Sequence, residues 1–292
     1  MGPLPARRTA AVLLFGAAAF LCPVSARAQE DSPRDAKDAA KGEVSDRTPT
    51  LADLDRIAQG LASDDPDTVR EAIELLSIID HPKVVPPLAA FLRGGPPDAL
   101  THRAVDALGG LAHPSSLGVL EELTRHRRAA VRRRAYRAIA GIRAPGVRVL
   151  VETGLSDSDT GVRQIAAQGL GDMGARESVD ALLLAFDKGV EEAGIALGKV
   201  GDGESVARFG ESLGTKRLRV MLGGYREYLG RRDIPLGIKN DIVTRLGEVA
   251  GPVVRAFLQE YQGTLSKTTP KKHRILVDDI IARIPAGKGG QP

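Results

Sequence analysis

The sequence predicts an all-α fold, an α-solenoid in which helical hairpins stack into a superhelix. The first observation is an alanine that recurs at intervals of 32, 31, 31 and 27 residues, as Ala72, Ala104, Ala135, Ala166 and Ala193. The second is the larger aliphatic residue that follows each alanine after four positions, which is the spacing of one helical face. The third is that no stretch alternates apolar and polar residues over a useful length, which argues against a sheet.

Each repeat is predicted to contain two helices. In the first helix of the fourth unit, Val162, Ala166, Leu170 and Met173 recur at the helical period. In the first three units a proline follows the last apolar position, where it cannot continue the first helix and is well placed to begin the second: Pro82, Pro114 and Pro145. The second helices are also amphipathic, so neither helix can bury its apolar face alone and stacking of several units is required.

The pattern divides the body of the chain into two parts. Clear repeats run over 64–213 of a solenoid predicted over 51–284, and the units over 214–284 are divergent. Terminal units of a solenoid are commonly atypical because they cover the core against water. A flexible tail is predicted at 285–292.

Within the divergent part, helices are predicted at 218–229, 252–262 and 272–284, with a break at 231–237. The repeat signature returns before the second of these helices, from Leu246 to Pro252. We therefore expect the solenoid to continue there in altered form.

The N-terminus resembles an export signal. Arg7 and Arg8 precede an apolar stretch over 9–24, and the small residues Ala26 and Ala28 predict cleavage before Gln29. Residues 1–28 are therefore a predicted signal peptide. The two arginines leave open whether export uses the general secretory or the twin-arginine route.

Cleavage changes the composition. Cys22 is the single cysteine, so the mature chain cannot form a disulfide and must depend on core packing. Loss of three arginines leaves 38 basic and 37 acidic residues, a net charge of +1. Residues 29–50 are charged and nearly free of large apolar side chains, which predicts a disordered linker.

Asp64 to Arg70 and Asp157 to Arg163, followed by the alanine and Leu-Gly positions, resemble HEAT repeats, in particular the short bacterial kind associated with phycobilisome lyase subunits. The resemblance implies a HEAT- or armadillo-like superhelix whose inner surface, lined by second helices, binds another macromolecule. A tetrapyrrole-attaching activity belongs to few members, and no residue in this sequence singles it out.

No pattern predicts catalysis, a cofactor or a metal site. His81 and His113 occupy equivalent repeat positions before prolines, which indicates a turn residue copied with the repeat. Asp157 and Asp159 resemble the start of a calcium loop, but the closing position holds Gln168 instead of glutamate. We expect these aspartates to cap a helix, and the arginines that follow to pair with acidic groups of an adjacent unit. No catalytic residue is predicted, and we expect the protein not to be an enzyme.

One segment carries more charge than the repeat requires. Residues 124–151 contain nine arginines and no acidic residue. The candidate partner-binding residues are Arg127, Arg128, Arg133, Arg134 and Arg137. Two interpretations stay open: the arginines pair with acidic neighbours or are merely solvated, or they bind an anion-rich partner through their forked donors.

Together these features predict an exported, non-enzymatic scaffold, periplasmic or secreted in a bacterium, that binds another protein of unknown identity. The alternative is an envelope-associated adaptor that binds anionic lipid or polymer through the arginine-rich face. A lyase-like accessory enzyme is a weaker third possibility. Near-neutral charge and few aromatic residues disfavour nucleic acid, and no transmembrane span is expected after signal cleavage.

Overall fold

The computed structural model describes residues 48–285, and within them fifteen α-helices form. In chain order the helices are α1 (Leu54–Gln59), α2 (Pro66–Ile78), α3 (Val85–Arg93), α4 (Asp98–Leu111), α5 (Leu117–Thr124), α6 (Ala129–Gly141), α7 (Val147–Thr153), α8 (Thr160–Asp172), α9 (Val179–Asp187), α10 (Glu191–Val200), α11 (Gly203–Glu211), α12 (Leu218–Gly230), α13 (Leu236–Val249), α14 (Pro252–Thr264) and α15 (Lys271–Arg283). No strand forms in this part of the chain, where the one extended contact is an isolated bridge between Leu213 and Lys216. The all-α solenoid is confirmed. The predicted signal peptide (1–28), the linker as far as residue 47 and the tail from residue 286 lie outside the described residues.

The even-numbered helices from α2 to α10 are the first helices of the five predicted hairpins, and the odd-numbered helices from α3 to α11 are the second helices. The five alanines that recur once per repeat, here called the ladder alanines, are all buried. The aliphatic residues four positions later are buried as well: Leu76, Leu108, Ile139, Leu170 and Leu197. The apolar stripe of each first helix therefore faces the shared core. This burial removes apolar surface from water in every unit and supplies the main force that holds the stack together.

Successive first helices pack directly on one another, and α12 continues the row against α10. Small residues permit this approach: a Cβ built on Gly169 of α8 would lie 2.8 Å from the Cβ of Ala140 in α6. Likewise, a Cβ on Gly224 of α12 would lie 2.6 Å from the carbonyl oxygen of Gly194 in α10. The resemblance implied that the second helices line the inner curve. That implication stays a prediction, and the structure shows only that the first helices form the more closely packed of the two rows.

The turn chemistry agrees in part with the sequence. Asp65 accepts hydrogen bonds from the backbone N–H groups of Asp67 and Thr68 at the start of α2, and Asp159 accepts from Val162 at the start of α8. Asp159 is thus an N-cap, as expected, but Asp157, which was also expected to cap the helix, instead accepts from the backbone N–H of Asp159 and pairs with Arg132. Two of the prolines begin short 3₁₀ turns, Pro82–Val84 and Pro114–Ser116, that lead into the second helices.

The C-terminal helices form with small shifts of boundary. The break after α12 is shorter than predicted because α13 already begins at Leu236, and α14 extends two residues further, to Thr264. Helices α13 and α15 pack closely at Gly247, where a built Cβ would lie 2.8 Å from Ile280. Between α9, α11 and α12 the rings of Phe186, Phe209, Tyr225 and Tyr228 form an aromatic cluster with centroid separations of 5.0 to 6.0 Å.

Candidate functional site: the arginine-rich face of α6

The five predicted partner-binding arginines lie on and just before α6. Arg127 and Arg128 precede the helix, and Arg133, Arg134 and Arg137 lie within its first nine residues. Four of the five are exposed to solvent: Arg127, Arg128, Arg133 and Arg137. The structure thus brings the five side chains to one helix and its approach, but their surroundings differ.

Three of these five arginines pair with carboxylates. Arg128 pairs with Asp98 and Arg134 with Asp106, both from the preceding unit. The Nε of Arg133 lies 3.2 Å from Oδ1 of Asp159 at the start of the next unit. These arginines connect α6 to both neighbouring units.

Arg132, between the predicted residues, makes the most enclosed ion pair of the segment. Its Nε and Nη2 donate to the two carboxylate oxygens of Asp157 at 2.8 and 2.7 Å. This hydrogen bonding holds the pKa of Asp157 below 3.8 and raises the pKa of Arg132. The pair is a fixed structural link between units, and neither group is available to a ligand.

Most of the nine arginines of residues 124–151 are paired in the structure. Six pair with acidic residues, namely Arg125 with Glu121, Arg128 with Asp98, Arg132 with Asp157, Arg133 with Asp159, Arg134 with Asp106 and Arg148 with Glu152. Glu122, also expected as a partner, pairs instead with Arg93. Within residues 48–285, no ion pair is made by Arg127, Arg137 or Arg143.

The first-helix face carries a ladder of ion pairs between units. Nη1 of Arg103 in α4 lies 2.7 Å from Oε1 of Glu74 in α2, and Arg134 in α6 pairs in the same register with Asp106 in α4. The acidic residue stands two positions after the ladder alanine of one unit. The arginine stands one position before the ladder alanine of the next.

This ladder ends between α6 and α8. In α6 the position equivalent to Glu74 and Asp106 is occupied by Arg137. In α8 the position equivalent to Arg103 and Arg134 is occupied by Ile165. A cation thus replaces the acid, and an apolar side chain replaces the arginine that would have met it. Arg137 has no counter-charge at the place where the two preceding units supply one.

A groove of about 360 Å³ lies at the end of the ladder, between α6 and α8. Six of its lining residues are Arg137, Arg143, Ile165, Gln168, Asp172 and Met173. Asp172 is the acidic member, and its carboxylate is held 2.6 Å from the ammonium of Lys199. The two arginines therefore keep their positive charge available to a ligand.

In the larger cavities near the C-terminal helices, several of the polar groups already have partners. In one of about 690 Å³, Asp233 pairs with both Arg231 and Arg176, and the hydrogen bond from Arg231 lowers the pKa of Asp233 to about 2. In another of about 460 Å³, His273 hydrogen-bonds Tyr261 and Asn240. Across the described part of the chain, no group of three or more His, Cys, Asp and Glu residues is arranged to hold a metal ion.

Arg143 was missed as a candidate by sequence reasoning, although it lies in the segment that drew attention. The repeat register marks Arg137 and not Arg143, which only the packing of α6 against α8 brings to the same groove. Aligning the units by their alanines shows which arginines face an acid in the neighbouring unit and which do not. Helical spacing alone placed Arg133, Arg134 and Arg137 in one group. In the structure Arg133 and Arg134 form ion pairs with aspartates, and Arg137 forms none with the described residues.

Comparison with known proteins identifies the repeat. A family profile described as HEAT repeats matches twice, over residues 85–159 and 116–193. No curated protein matches the sequence.

Several solved structures are similar. Human deoxyhypusine hydroxylase in complex with glycerol is 16% identical, with 79% of this chain and 95% of that chain covered and a TM-score of 0.40. A designed armadillo repeat protein is 15% identical, with 80% and 100% covered and a TM-score of 0.38. A related design in complex with the peptide (KR)4 is 15% identical, with 78% and 98% covered and a TM-score of 0.25.

The matched residues contain four of the five ladder alanines, together with the whole arginine-rich segment. Residues 85–193 of the chain therefore consist of HEAT repeats.

Proposed function

We propose that this protein is an exported, non-enzymatic scaffold that holds another protein against the exposed face of its first helices. The observation that carries the proposal is the end of the inter-unit ion-pair ladder at α6. There, Arg137 and Arg143 line an open groove without a counter-charge of their own. Arginine forks in such a place are suited to acidic groups of a protein partner.

The non-enzymatic part of the proposal is supported by the state of the ionisable groups. Catalytic groups are normally held with perturbed protonation in a cleft where substrate can reach them. Here the pKa of Asp233 is lowered to about 2 by its hydrogen bonding with Arg231, two residues earlier in the segment that follows α12. Such pairing serves structure rather than proton transfer.

Export is supported by the basic, apolar and small-residue pattern of residues 1–28. In the described residues, no helix is both long enough and apolar enough to cross a bilayer. Intact-mass measurement of the protein from a periplasmic or secreted fraction tests the proposal. A chain that begins at Gln29 is expected, and recovery of the uncleaved chain in the cytoplasmic fraction would refute export.

A direct test of the scaffold places a photo-crosslinking amino acid at Gln168, an exposed position in the α6–α8 groove. Crosslinking in cells is expected to trap a defined protein that mass spectrometry identifies. The same group at Lys188, which is exposed in the turn after α9, is the control. If Gln168 traps no protein beyond those trapped at Lys188, this face is not the scaffold's binding surface.

The pairing of six arginines also bears on the alternative of an anionic lipid or polymer surface. Binding to such a surface grows with the number of unneutralised basic residues, at about 1 kcal/mol each. Only Arg127, Arg137 and Arg143 of this segment are unpaired in the described structure. Contact with a protein at a discrete site is therefore favoured over binding to an anionic lipid or polymer surface.

A further inference from the structure

We propose that the groove between α6 and α8 is a subsite for one acidic side chain of the partner. Arg137 and Arg143 bind the carboxylate, and Ile165 contacts an aliphatic residue next to it in the partner's chain. This inference rests on the proposed function and names the chemistry that the scaffold recognises.

The first argument is the repeat register. In the two preceding interfaces the protein itself supplies the acid, Glu74 against Arg103 and Asp106 against Arg134. At the third interface Arg137 stands at the position of the acid and Ile165 at the position of the arginine, so these two positions hold a cation without an acid. A carboxylate from outside would give this interface the ion pair that the other two have internally.

The second argument is the groove's own charge. Arg137 and Arg143 are exposed, while Asp172 is neutralised by Lys199 at 2.6 Å. The neighbouring cation Arg134 is occupied by Asp106. An entering carboxylate therefore meets two free guanidinium groups and no unpaired acid.

The third argument compares this groove with its equivalent two units earlier. A groove of about 370 Å³ between α2 and α4 is lined by Glu74 and Arg103, which pair across it. The two grooves have nearly the same volume and occupy the same place in the repeat. An internal ion pair neutralises the charges of the groove between α2 and α4, whereas the groove between α6 and α8 has no such pair among its described residues. The two grooves therefore differ in charge rather than in size, and the unpaired arginines favour an anion in the second one.

The fourth argument favours a peptide carboxylate over a lipid phosphate. Beside the arginines, the lining includes Ile165 and Met173, and the floor is formed by Ala140 and Gly169. A cleft with a charged mouth and an apolar lining accommodates a single side chain and its aliphatic neighbour. A membrane surface would instead require several free cations on a broad face.

The test uses purified chain and two synthetic pentapeptides, acetyl-Gly-Leu-Glu-Leu-Gly-amide and its Gln analogue. Binding is measured by NMR titration of the arginine Nε–H signals. We expect the Glu peptide to shift the signals of Arg137 and Arg143 and to bind at least about tenfold more tightly than the Gln peptide, which corresponds to about 1.4 kcal/mol. Equal binding of the two peptides would overturn the proposal.

Variants assign the effect to the groove. Arg137→Ala and Arg143→Ala should each abolish most of the preference for Glu, and Arg137→Glu should reverse it in favour of a Lys analogue. Arg219→Ala removes an exposed arginine from α12 and should leave the preference unchanged. Retention of the preference in Arg137→Ala, in a chain whose helical circular dichroism is intact, would refute the assignment.

Three further outcomes separate this inference from the lipid alternative and from the proposed function. If phosphatidylglycerol vesicles sediment the wild-type chain but not Arg137→Ala, and the Glu peptide does not compete, the groove binds lipid and the inference is wrong. If Gln168 crosslinks a protein but the Glu and Gln peptides bind alike, the scaffold stands and the acidic subsite does not. If the peptides are distinguished but no crosslink forms in cells, the subsite stands and the scaffold does not.

Discussion

Arg132 and Asp157 join two repeats through parallel hydrogen bonds of 2.8 and 2.7 Å, with only 13% and 11% of the side chains exposed. Arg132 also donates to the backbone carbonyl of His126 at 3.0 Å. The next residue, Arg133, makes a longer and more open pair with Asp159. Two adjacent arginines of one helix thus differ sharply in enclosure.

We expect Arg132→Ala to lower the free energy of unfolding by about 3 kcal/mol, because it leaves the largely buried Asp157 without its counter-charge. Arg133→Ala is the matched control and should cost less than about 1 kcal/mol, since 44% of the Arg133 side chain is exposed to solvent and salt. Urea unfolding of both variants measures the difference. Equal losses would show that enclosure of the pair does not determine its strength.

The same pair predicts an acid-dependent loss of stability. The folded chain holds the pKa of Asp157 below 3.8, so its contribution is present above that pH and is lost as pH falls through the lowered pKa. Urea midpoints at pH 5 and pH 3 should therefore differ less for Asp157→Asn than for the wild type. Asp67→Asn, at a side chain that is 82% exposed, should leave the difference nearly unchanged. If the urea midpoint of Asp157→Asn falls between pH 5 and pH 3 by as much as that of the wild type, the prediction is wrong.

Gly198 is where α10 meets α12 most closely. A Cβ there would overlap the carbonyl oxygen of Gly224 and the Cβ of Glu227, so the backbone itself must move. We expect Gly198→Ala to destabilise the fold by about 1–3 kcal/mol despite alanine's better helix propensity. Gly118 of α5 has open space around it, and Gly118→Ala should be neutral or stabilising by up to about 1 kcal/mol. Thermal unfolding measures both, and stabilisation by Gly198→Ala would rule out the close contact.

His273 is 1% exposed and accepts a hydrogen bond from the hydroxyl of Tyr261 while donating to Asn240. Burial, with a smaller effect of Lys239, lowers the pKa of His273 below its ordinary value, so the folded chain binds a proton there less readily than the unfolded chain does. Its stabilising contribution is present above pH 6.5 and is lost as pH falls from there through the lowered pKa.

We therefore expect the loss of stability between pH 7 and pH 5 to be smaller in His273→Phe than in the wild type. His81→Asn is the control, because an asparagine there can still accept the hydrogen bond that Lys83 N–H now gives to the His81 ring. Urea unfolding at the two pH values measures the change. A loss in His273→Phe as large as in the wild type would show that the His273 ring does not titrate in this range.

The interrupted ladder can be completed by exchange of two residues. Arg137→Glu with Ile165→Arg reproduces the arrangement of Glu74 and Arg103. A double-mutant cycle should give a favourable coupling of about 0.5 kcal/mol, similar to the coupling of Glu74 with Arg103 measured in the same way. A repulsive coupling would show that the two positions do not face each other as the register requires.

The repeat was predictable because each unit solves the same packing problem. Ala72 and its equivalents are buried wherever the helical period placed them, and Asp159 caps α8 as its position indicated. The C-terminal helices were located less well at their ends. There the repeat changes, and local residues such as Pro235 decide where α13 begins.

The sequence by itself determined the all-α repeat, the helices that form it and the excess of arginine at residues 124–151, because periodicity and composition are properties of the chain alone. Tertiary structure decided which arginines are free. Asp98 and Asp106 are distant in sequence from Arg128 and Arg134, and stacking of the units brings them into contact. A charge is neutralised by what lies within a few ångströms of it, and for Arg137 only the packed units show that no carboxylate among residues 48–285 does so.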